Sequence, residues 1–322
     1  MIMSKNISMT MNSHKLHQPV LLLETIEALS INPAGIYIDA TFGRGGHSQK
    51  ILEKLTTGRL ICIDKDPEAI AYGKKLLGHD ERVSFYHLSF EELENFAQSA
   101  GLVGKIDGIL MDLGVSSPQI DEAQRGFSFN KEGPLDMRMN PETGMSAKEW
   151  VNTATQDEIK WVLKHYGEEK FAGRIASFIV NLRGQNPIET TLQLANIIKN
   201  AIPVYTPNKH AATKSFQAIR IYINQELTNL EKALSMAEKV LSVKGKLAVI
   251  TFHSLEDRMV KKRFASKIER PDHRLPLTED QIKINFNVGK RKEPSQTEME
   301  NNPRSRSAKL RVLEKLRETE DC

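Results

Sequence analysis

A glycine-rich turn and two strand-ending acids are the residues best suited to chemistry. The run Ile38-Asp39-Ala40-Thr41-Phe42-Gly43-Arg44-Gly45-Gly46-His47-Ser48 leads from a strand-like segment through a glycine turn into a helical pattern. Glycine there permits tight backbone geometry and lets a ligand approach the main chain closely. Asp64 ends the next strand-like run, 25 residues after Asp39. In a doubly wound sheet, an acid at that place accepts hydrogen bonds from the two ribose hydroxyls of a nucleotide-like ligand. Turn and acid together point to a nucleoside-bearing cofactor. The spacing Gly43-x-Gly45-Gly46 is not the G-x-G-x-x-G of a dinucleotide site, which argues against a nicotinamide dehydrogenase. No G-x-x-x-x-G-K-S/T run for a nucleoside triphosphate is present.

The second acid, Asp112, opens the loop Asp112-Leu113-Gly114-Val115-Ser116-Ser117-Pro118-Gln119 at the end of another strand-like run. In open α/β sheets the ligand crevice lies beyond the C-terminal strand ends, so this loop faces the cofactor. Amino-group methyltransferases acting on DNA carry Pro-Pro-aromatic here. The loop departs from that form and by itself leaves the target atom open. The serines are also ordinary turn residues. No His, Cys and Asp cluster has metal-ligand spacing, so no metal is expected.

The elements that must position these residues follow from the apolar pattern. Ile36–Asp39, Arg59–Asp64, Val83–His87 and Ile106–Asp112 read as strands, separated by helical patterns over Gly45–Leu55 and Pro67–Leu77. Strands alternating with helices indicate βαβ units and a parallel sheet with helices on both faces. From Asp121 to Lys214 the rhythm stops. After an irregular stretch over Gln124–Asn140, Ser146-x-x-Glu149 and Thr155-x-x-Glu158 fit capping boxes. Apolar residues at helical spacing follow in three segments, with no strand candidate. Phe216–Leu241 reads as one long helix, Lys246–Phe252 as a fifth strand and Lys309–Leu313 as a further strand. The architecture expected is α/β. A Rossmann-like domain of residues 17–120 and 215–322 is split by a helical insertion, 121–214, suited to substrate recognition. Residues 1–16 read as a disordered leader.

Composition agrees with a globular chain. Charged residues make up 27% and hydrophobic residues 39% of 322 residues, and the two cysteines, Cys62 and Cys322, exclude a disulfide framework or a cysteine-rich zinc site. No apolar run reaches the roughly 18 residues of a membrane span, and the N-terminus lacks the apolar region of a secretory signal. A cytoplasmic location is expected. The net charge of +4 is unevenly spread, with +6 in residues 258–322 and −2 in the remainder. A basic C-terminal fifth suits a polyanionic partner.

The glycine turn is similar to the first motif of S-adenosylmethionine-dependent methyltransferases of the Rossmann-like class I. The chain as a whole closely resembles the bacterial 16S ribosomal RNA (cytosine-N4)-methyltransferase family (RsmH, formerly MraW). The resemblance is carried in order by His17–Glu24, Tyr37–His47, Asp107–Gln119, Arg125–Phe129, Gly133–Met139, Phe216–Ile221, Phe252–Arg258 and Asn302–Ser307. It implies methyl transfer from S-adenosyl-L-methionine to the exocyclic N4 of a cytosine in the decoding centre, the P-site region, of 16S ribosomal RNA. The partner implied is that RNA, within the small ribosomal subunit. Carried over by motif, the cofactor contacts are Gly45, Gly46, His47, Asp64, Phe90, Asp112 and Gln119. The chain departs from the family at Ala211 and Lys214, where Pro and Arg are usual. Lysine keeps the charge but loses a planar fork. The sequence leaves the oligomeric state open, a homodimer being one arrangement.

The implied reaction needs help. The N4 lone pair is delocalised into the ring, so the nitrogen must pyramidalise and its N–H groups must find acceptors in line with the sulfonium methyl. The electrophile is already activated, so alignment supplies much of the rate, and the base must leave its stack. Asp112 and the main chain of Ser116-Ser117-Pro118 are the candidate acceptors, although Asp112 can equally serve the cofactor. Phe127, Phe129 and His253 are candidate stacking or positioning groups, or ordinary core and hydrogen-bonded residues. Arg125, Arg138, Lys209, Lys214 and Arg220 flank the insertion. Arg258, Lys261, Lys262, Arg263, Arg304 and Arg306 lie in the basic end. Both sets are candidates for phosphate contacts. A second reading is a catalytically silent RNA-binding ribosome assembly factor. The intact glycine turn, Asp64 and Asp112 speak against it.

Overall fold

The computed structural model describes residues 19–203, 210–268 and 284–318. The leader, Lys209 and Cys322 lie outside the described residues. The elements run α1 (Leu22–Leu29), β1 (Ile36–Asp39), α2 (Gly46–Leu52), β2 (Arg59–Asp64), α3 (Pro67–Leu77), β3 (Val83–His87), α4 (Leu93–Ser99) and β4 (Ile106–Asp112). Then come α5 (Ser117–Asp121), α6 (Ala147–Thr153), α7 (Gln156–Gly167), α8 (Ala172–Arg183), α9 (Thr191–Ala201), α10 (Thr213–Ile223) and α11 (Glu226–Val240). The chain closes with β5 (Leu241–Thr251), α12 (Ser254–Ala265), β6 (Phe286–Val288), α13 (Gln296–Asn301), a 3-10 turn over Pro303–Ser307, and β7 (Lys309–Lys315).

Among the described residues the strands form one sheet in the order β3-β2-β1-β4-β5-β7-β6. The first five pair in parallel, and β7 runs antiparallel between β5 and β6. Chain order reverses at β1, which lies between β2 and β4. The C-terminal ends of β1 and β4 therefore frame the crevice in which open α/β sheets bind ligands. Ile38, Ile61, Ile109 and Leu247 are among the residues packing one face of the sheet, Tyr37, Leu60, Leu110 and Ala248 the other. Such two-sided burial explains why these strands read as continuous apolar runs rather than alternating ones.

A further core gathers α6 to α10, with Trp150, Ile159, Val162, Ile175, Ile198 and Phe216 in its interior. Both expected capping boxes form: Ser146 and Thr155 each accept the N–H three residues on, and Glu149 and Glu158 reach back. Two readings need correction. The stretch expected as one helix over Phe216–Leu241 is two, because Gln225 takes a left-handed φ of 51°. A boundary at 215 also cuts through α10, whose Phe216, Ala218 and Ile219 belong to the helical core.

A buried ion pair joins the helical unit to the sheet. Asp66 caps α3 and accepts from Glu68 N–H; its other oxygen accepts from Arg125 Nη1 at 2.9 Å and Gln119 Nε2 at 2.8 Å. Arg125 also reaches Glu68 at 3.0 Å and the Met139 carbonyl at 2.8 Å. Removing one partner of a buried pair strands the other charge, at a cost of about 3 kcal/mol. We expect Arg125→Met to lower the unfolding free energy by roughly that amount in urea titration. A change below about 1 kcal/mol would show that the junction is carried by other contacts.

Candidate functional site

A cavity of about 620 Å³ opens at the C-terminal ends of β1, β2, β4 and β5, within the range of small-molecule sites. Its floor is the glycine turn. Gly43 has φ +54° and a Cβ built there meets no atom closer than 3.8 Å, so the main chain lies open to the cavity. Gly45 is different. Its φ is +75° and a Cβ would strike the Phe42 ring at 2.6 Å. Gly45 caps the start of α2 and packs against Phe42 instead of lining the cavity, whereas Gly46 and His47 do line it.

Three aspartates end neighbouring strands here. Asp39 accepts from Ser48 Oγ at 2.7 Å and from Thr41 N–H at 3.1 Å. Burial pushes its carboxyl up to about 6, against those hydrogen bonds. Asp64 accepts from the Gly43 and Asp66 N–H groups at 2.8 and 2.9 Å, which fixes the turn to the end of β2. Burial, with the nearby charges of Asp66 and Asp39, raises its carboxyl to about 6 as well. Asp112 is tied at its N–H to Thr41 Oγ1 at 2.6 Å, while its buried Oδ1 has no hydrogen-bond partner. Burial and the charges of Asp39 and Glu256 push this carboxyl well above the usual range. His47 Nε2 lies 3.1 Å from the Val20 carbonyl, with Nδ1 3.7 Å from Asp112 Oδ2.

Phe90 opens the 3-10 turn after β3 and borders the cavity with Leu88. Gln119 also borders it, and its amide holds the reactive loop through Ser116 N–H at 3.0 Å and Asp66. The expected main-chain acceptors are otherwise engaged: the Ser116 and Pro118 carbonyls accept from Ile120 and Glu122 N–H groups in α5. Ser117 borders the cavity and Pro118 does not.

Most of the residues expected to meet RNA have protein partners. Phe127 is buried in the helical core, and the Phe129 ring is stacked on His210 at 4.6 Å and meets Phe216 edge-on. Neither lines the cavity. Phe252, which sequence reasoning did not single out, does line it, next to Gly114. Arg125 is the buried staple described above. Arg138 forks onto Asp136, and Arg220 onto Glu226 with both bonds at 2.8 Å. Lys214 donates to the Glu168 carbonyl at the end of α7, exposed Arg258 pairs with the Glu168 carboxylate, and Arg263 pairs with Glu238. Lys261, Lys262 and Arg306 are exposed. Arg304 stands at the cavity rim.

The fold also assembles a group whose spacing carried no metal signature. Ligand-capable atoms of Glu226, His253 and Glu256 lie within 4.8 Å of one another. Protein groups already neutralise it. Arg220 takes Glu226, and Glu256 accepts from the Phe252 N–H at 2.8 Å and faces His253 Nε2 at 3.1 Å. Burial alone would raise the Glu256 carboxyl, yet His253, Arg220 and the Phe252 N–H hold it below the ordinary value. The signal was present as His253-x-x-Glu256, a capping box with histidine in the cap position.

A parallel sheet with an antiparallel seventh strand, a glycine turn, an acid after β2 and unpartnered acceptors around one cavity define an S-adenosylmethionine-dependent methyltransferase of the Rossmann-like class. The cavity suits that cofactor: Gly43 gives access to the main chain, and Asp112 Oδ1 and Asn229 Oδ1 are buried acceptors in need of donors. The chain belongs to the MraW methylase family, whose profile matches residues 14–316. It is 51% identical over 304 residues to the Ribosomal RNA small subunit methyltransferase H of Legionella pneumophila strain Corby, covering 93% of this chain and 99% of that one. It is 52% identical over 314 residues to the protein of the same name from Alteromonas mediterranea, covering 96% and 100%. A looser likeness extends to a solved rRNA methylase from Streptococcus thermophilus, at 13% identity and a TM-score of 0.37 over 92% of this chain and 93% of that one.

An acid that accepts two ribose hydroxyls must be ionised. With its carboxyl at about 6, Asp64 loses that capacity as pH falls through 6. Cofactor affinity measured by calorimetry should therefore be flat above pH 7 and decline below 6. Asp64→Ala should weaken binding by at least about tenfold, the scale of a charged hydrogen bond. Unchanged affinity would show that Asp64 does not hold the ribose.

Proposed function

We propose that the protein transfers a methyl group from S-adenosylmethionine to the exocyclic N4 of a cytosine in the decoding centre of 16S ribosomal RNA, around the P site. Its partner would be that RNA within the small ribosomal subunit, and its location the cytoplasm. The observation that carries this reading is Asp112 Oδ1, a buried acceptor without a donor at the end of β4, in the cavity that the Asp112–Gln119 loop and Phe252 also line. Family membership and the names of the relatives support ribosomal RNA as the substrate.

Asp64 would hold the ribose, Gly43, Gly46 and His47 the amino-acid part, and Leu88 and Phe90 the adenine. The cofactor supplies a methyl on a positively charged sulfur, an electrophile that needs no further activation. What the chain must supply is a poised nucleophile. Asp112 accepts one N4–H, which helps the nitrogen to pyramidalise and directs its lone pair. As the N–C bond formed, the carbon–sulfur bond would break with the neutral thioether leaving, and the proton shed by the nitrogen would pass to Asp112, made more basic by burial and by Asp39 and Glu256. The target base must be extruded from its stack to enter, with Phe252 as its aromatic wall.

Small-subunit RNA from a deletion strain, with and without the gene restored, should show by mass mapping one cytosine whose N4 methyl depends on this protein. Asp112→Ala should lower labelled methyl transfer to small-subunit particles by about 10²-fold or more. Wild-type rates would remove Asp112 from the mechanism. Cofactor binding without methyl incorporation would leave an RNA-binding assembly factor, and transfer to DNA in preference to particles would overturn the substrate.

A further inference from the structure

The C-terminal segment crosses the cavity rim and is fixed at both walls. On one side Glu298 Oε1 accepts from the Leu21 N–H at 2.7 Å, next to cavity-lining Pro19 and Val20. On the other, Arg304 donates through Nη2 to Asp121 at 2.7 Å and through Nη1 to Ser117 Oγ. These contacts join residues 277, 183 and 187 positions apart.

The contact with Ser117 has a chemical consequence. A guanidinium only donates, whereas a serine hydroxyl has one proton and two lone pairs. With Arg304 on a lone pair, the Ser117 proton must point elsewhere, and among the described residues no acceptor takes it. Ser117 and Asp112 both border the cavity. The loop thus presents a donor at Ser117 and an acceptor at Asp112 Oδ1.

We propose that Arg304 is a positioning residue that turns the Ser117 proton away from itself, so that the hydroxyl donates to a ring acceptor of the target base while Asp112 accepts from the adjacent amino group. The inference rests on the N4 reading above and deepens it into a rule for base choice. Cytosine offers an amino group beside the N3 acceptor. Uracil offers a carbonyl, which sets acceptor against the Asp112 carboxylate, beside an N3–H that could use only the one Ser117 lone pair left by Arg304. A site that pairs with polar groups disfavours the mismatched edge, here chiefly because the buried Asp112 Oδ1 is then left unpaired.

The test is a mutant cycle on labelled methyl transfer to small-subunit particles lacking the modification. Ser117→Ala and Arg304→Ala should each lower kcat/KM by about tenfold, the upper scale of one neutral hydrogen bond. The double variant should be no worse than either single one, because both remove the same donor. Arg304→Lys, which still donates, should recover part of the loss. Asp121→Asn frees one side of Arg304 but leaves its bond to Ser117, and should keep at least half the wild-type rate. Cofactor affinity and thermal midpoint should stay unchanged across the set. If the losses multiply in the double variant, or Asp121→Asn is as damaging as Arg304→Ala, Arg304 only braces the strap and the proposal falls. Nucleoside analysis of the wild-type product separates the two readings. A methyl elsewhere than cytosine N4 overturns both, whereas N4-methylcytidine with an uncoupled cycle overturns this one alone.

Discussion

The crowding of three carboxylates at one edge of a parallel sheet governs this site. Parallel pairing aligns strand ends, so Asp39, Asp64 and Asp112 finish β1, β2 and β4 side by side. Each is desolvated, and Asp39 adds like charge to both others, so all three carboxyls sit above their ordinary value. Such an edge is costly until a cation arrives, because burying like charges favours the neutral form. A ligand with a sulfonium and an ammonium supplies that charge. The nearby positive groups are kept in separate pairs, Arg220 with Glu226 and Arg125 with Asp66.

The helical unit does more than decorate this sheet. Asn224, at the end of α10, accepts the Met139 N–H at 2.8 Å and donates to the Met137 carbonyl at 2.7 Å. Its own carbonyl receives Lys65 Nζ from the loop after β2. Met139 and Asn224 both line the cavity. The insertion therefore completes a wall of the site, and Arg125 locks it at a fixed distance from α3. Residues that read as an RNA-facing fringe in the sequence, such as Arg125 and Arg220, are instead engaged with protein carboxylates, Arg125 with Asp66 and Arg220 with Glu226.

The sheet was legible because buried parallel strands are continuous apolar runs punctuated by glycine turns. Strands β1 to β4 fall where the pattern puts them. The three-residue β6 is too short to leave a period, and the break between α10 and α11 depends on one left-handed residue, Gln225, which propensity does not flag. The acids of the cofactor end were readable because each follows a strand directly. The far end was not. Glu226 and Asn229 come from α11 and Phe252 and Glu256 from the β5–α12 junction, so, although His253-x-x-Glu256 marks a helix start, no local spacing brings the two pairs together. Positive charge misled for a physical reason: an arginine looks the same in a sequence whether it faces a phosphate or a buried carboxylate, and only burial separates the two.

The two ends of the cavity also differ in what holds them. The floor rests on short, partly buried bonds within and between adjacent strand ends, such as Thr41 to Asp112 and Gly43 to Asp64. The rim rests in part on an exposed contact between distant parts of the chain, Arg304 to Asp121, while Arg258–Glu168 and Lys214 to the end of α7 are exposed contacts outside the cavity lining. Exposed pairs of this kind contribute about 0 to 1 kcal/mol each and weaken with salt, so they yield at little cost. A small cofactor needs a preformed seat, whereas a base carried by a large, highly charged RNA needs an entrance whose charges can exchange partners. The polarity of stability across the cavity, rigid at the glycine turn and loosely pinned at the strap, matches that difference in ligand size and charge.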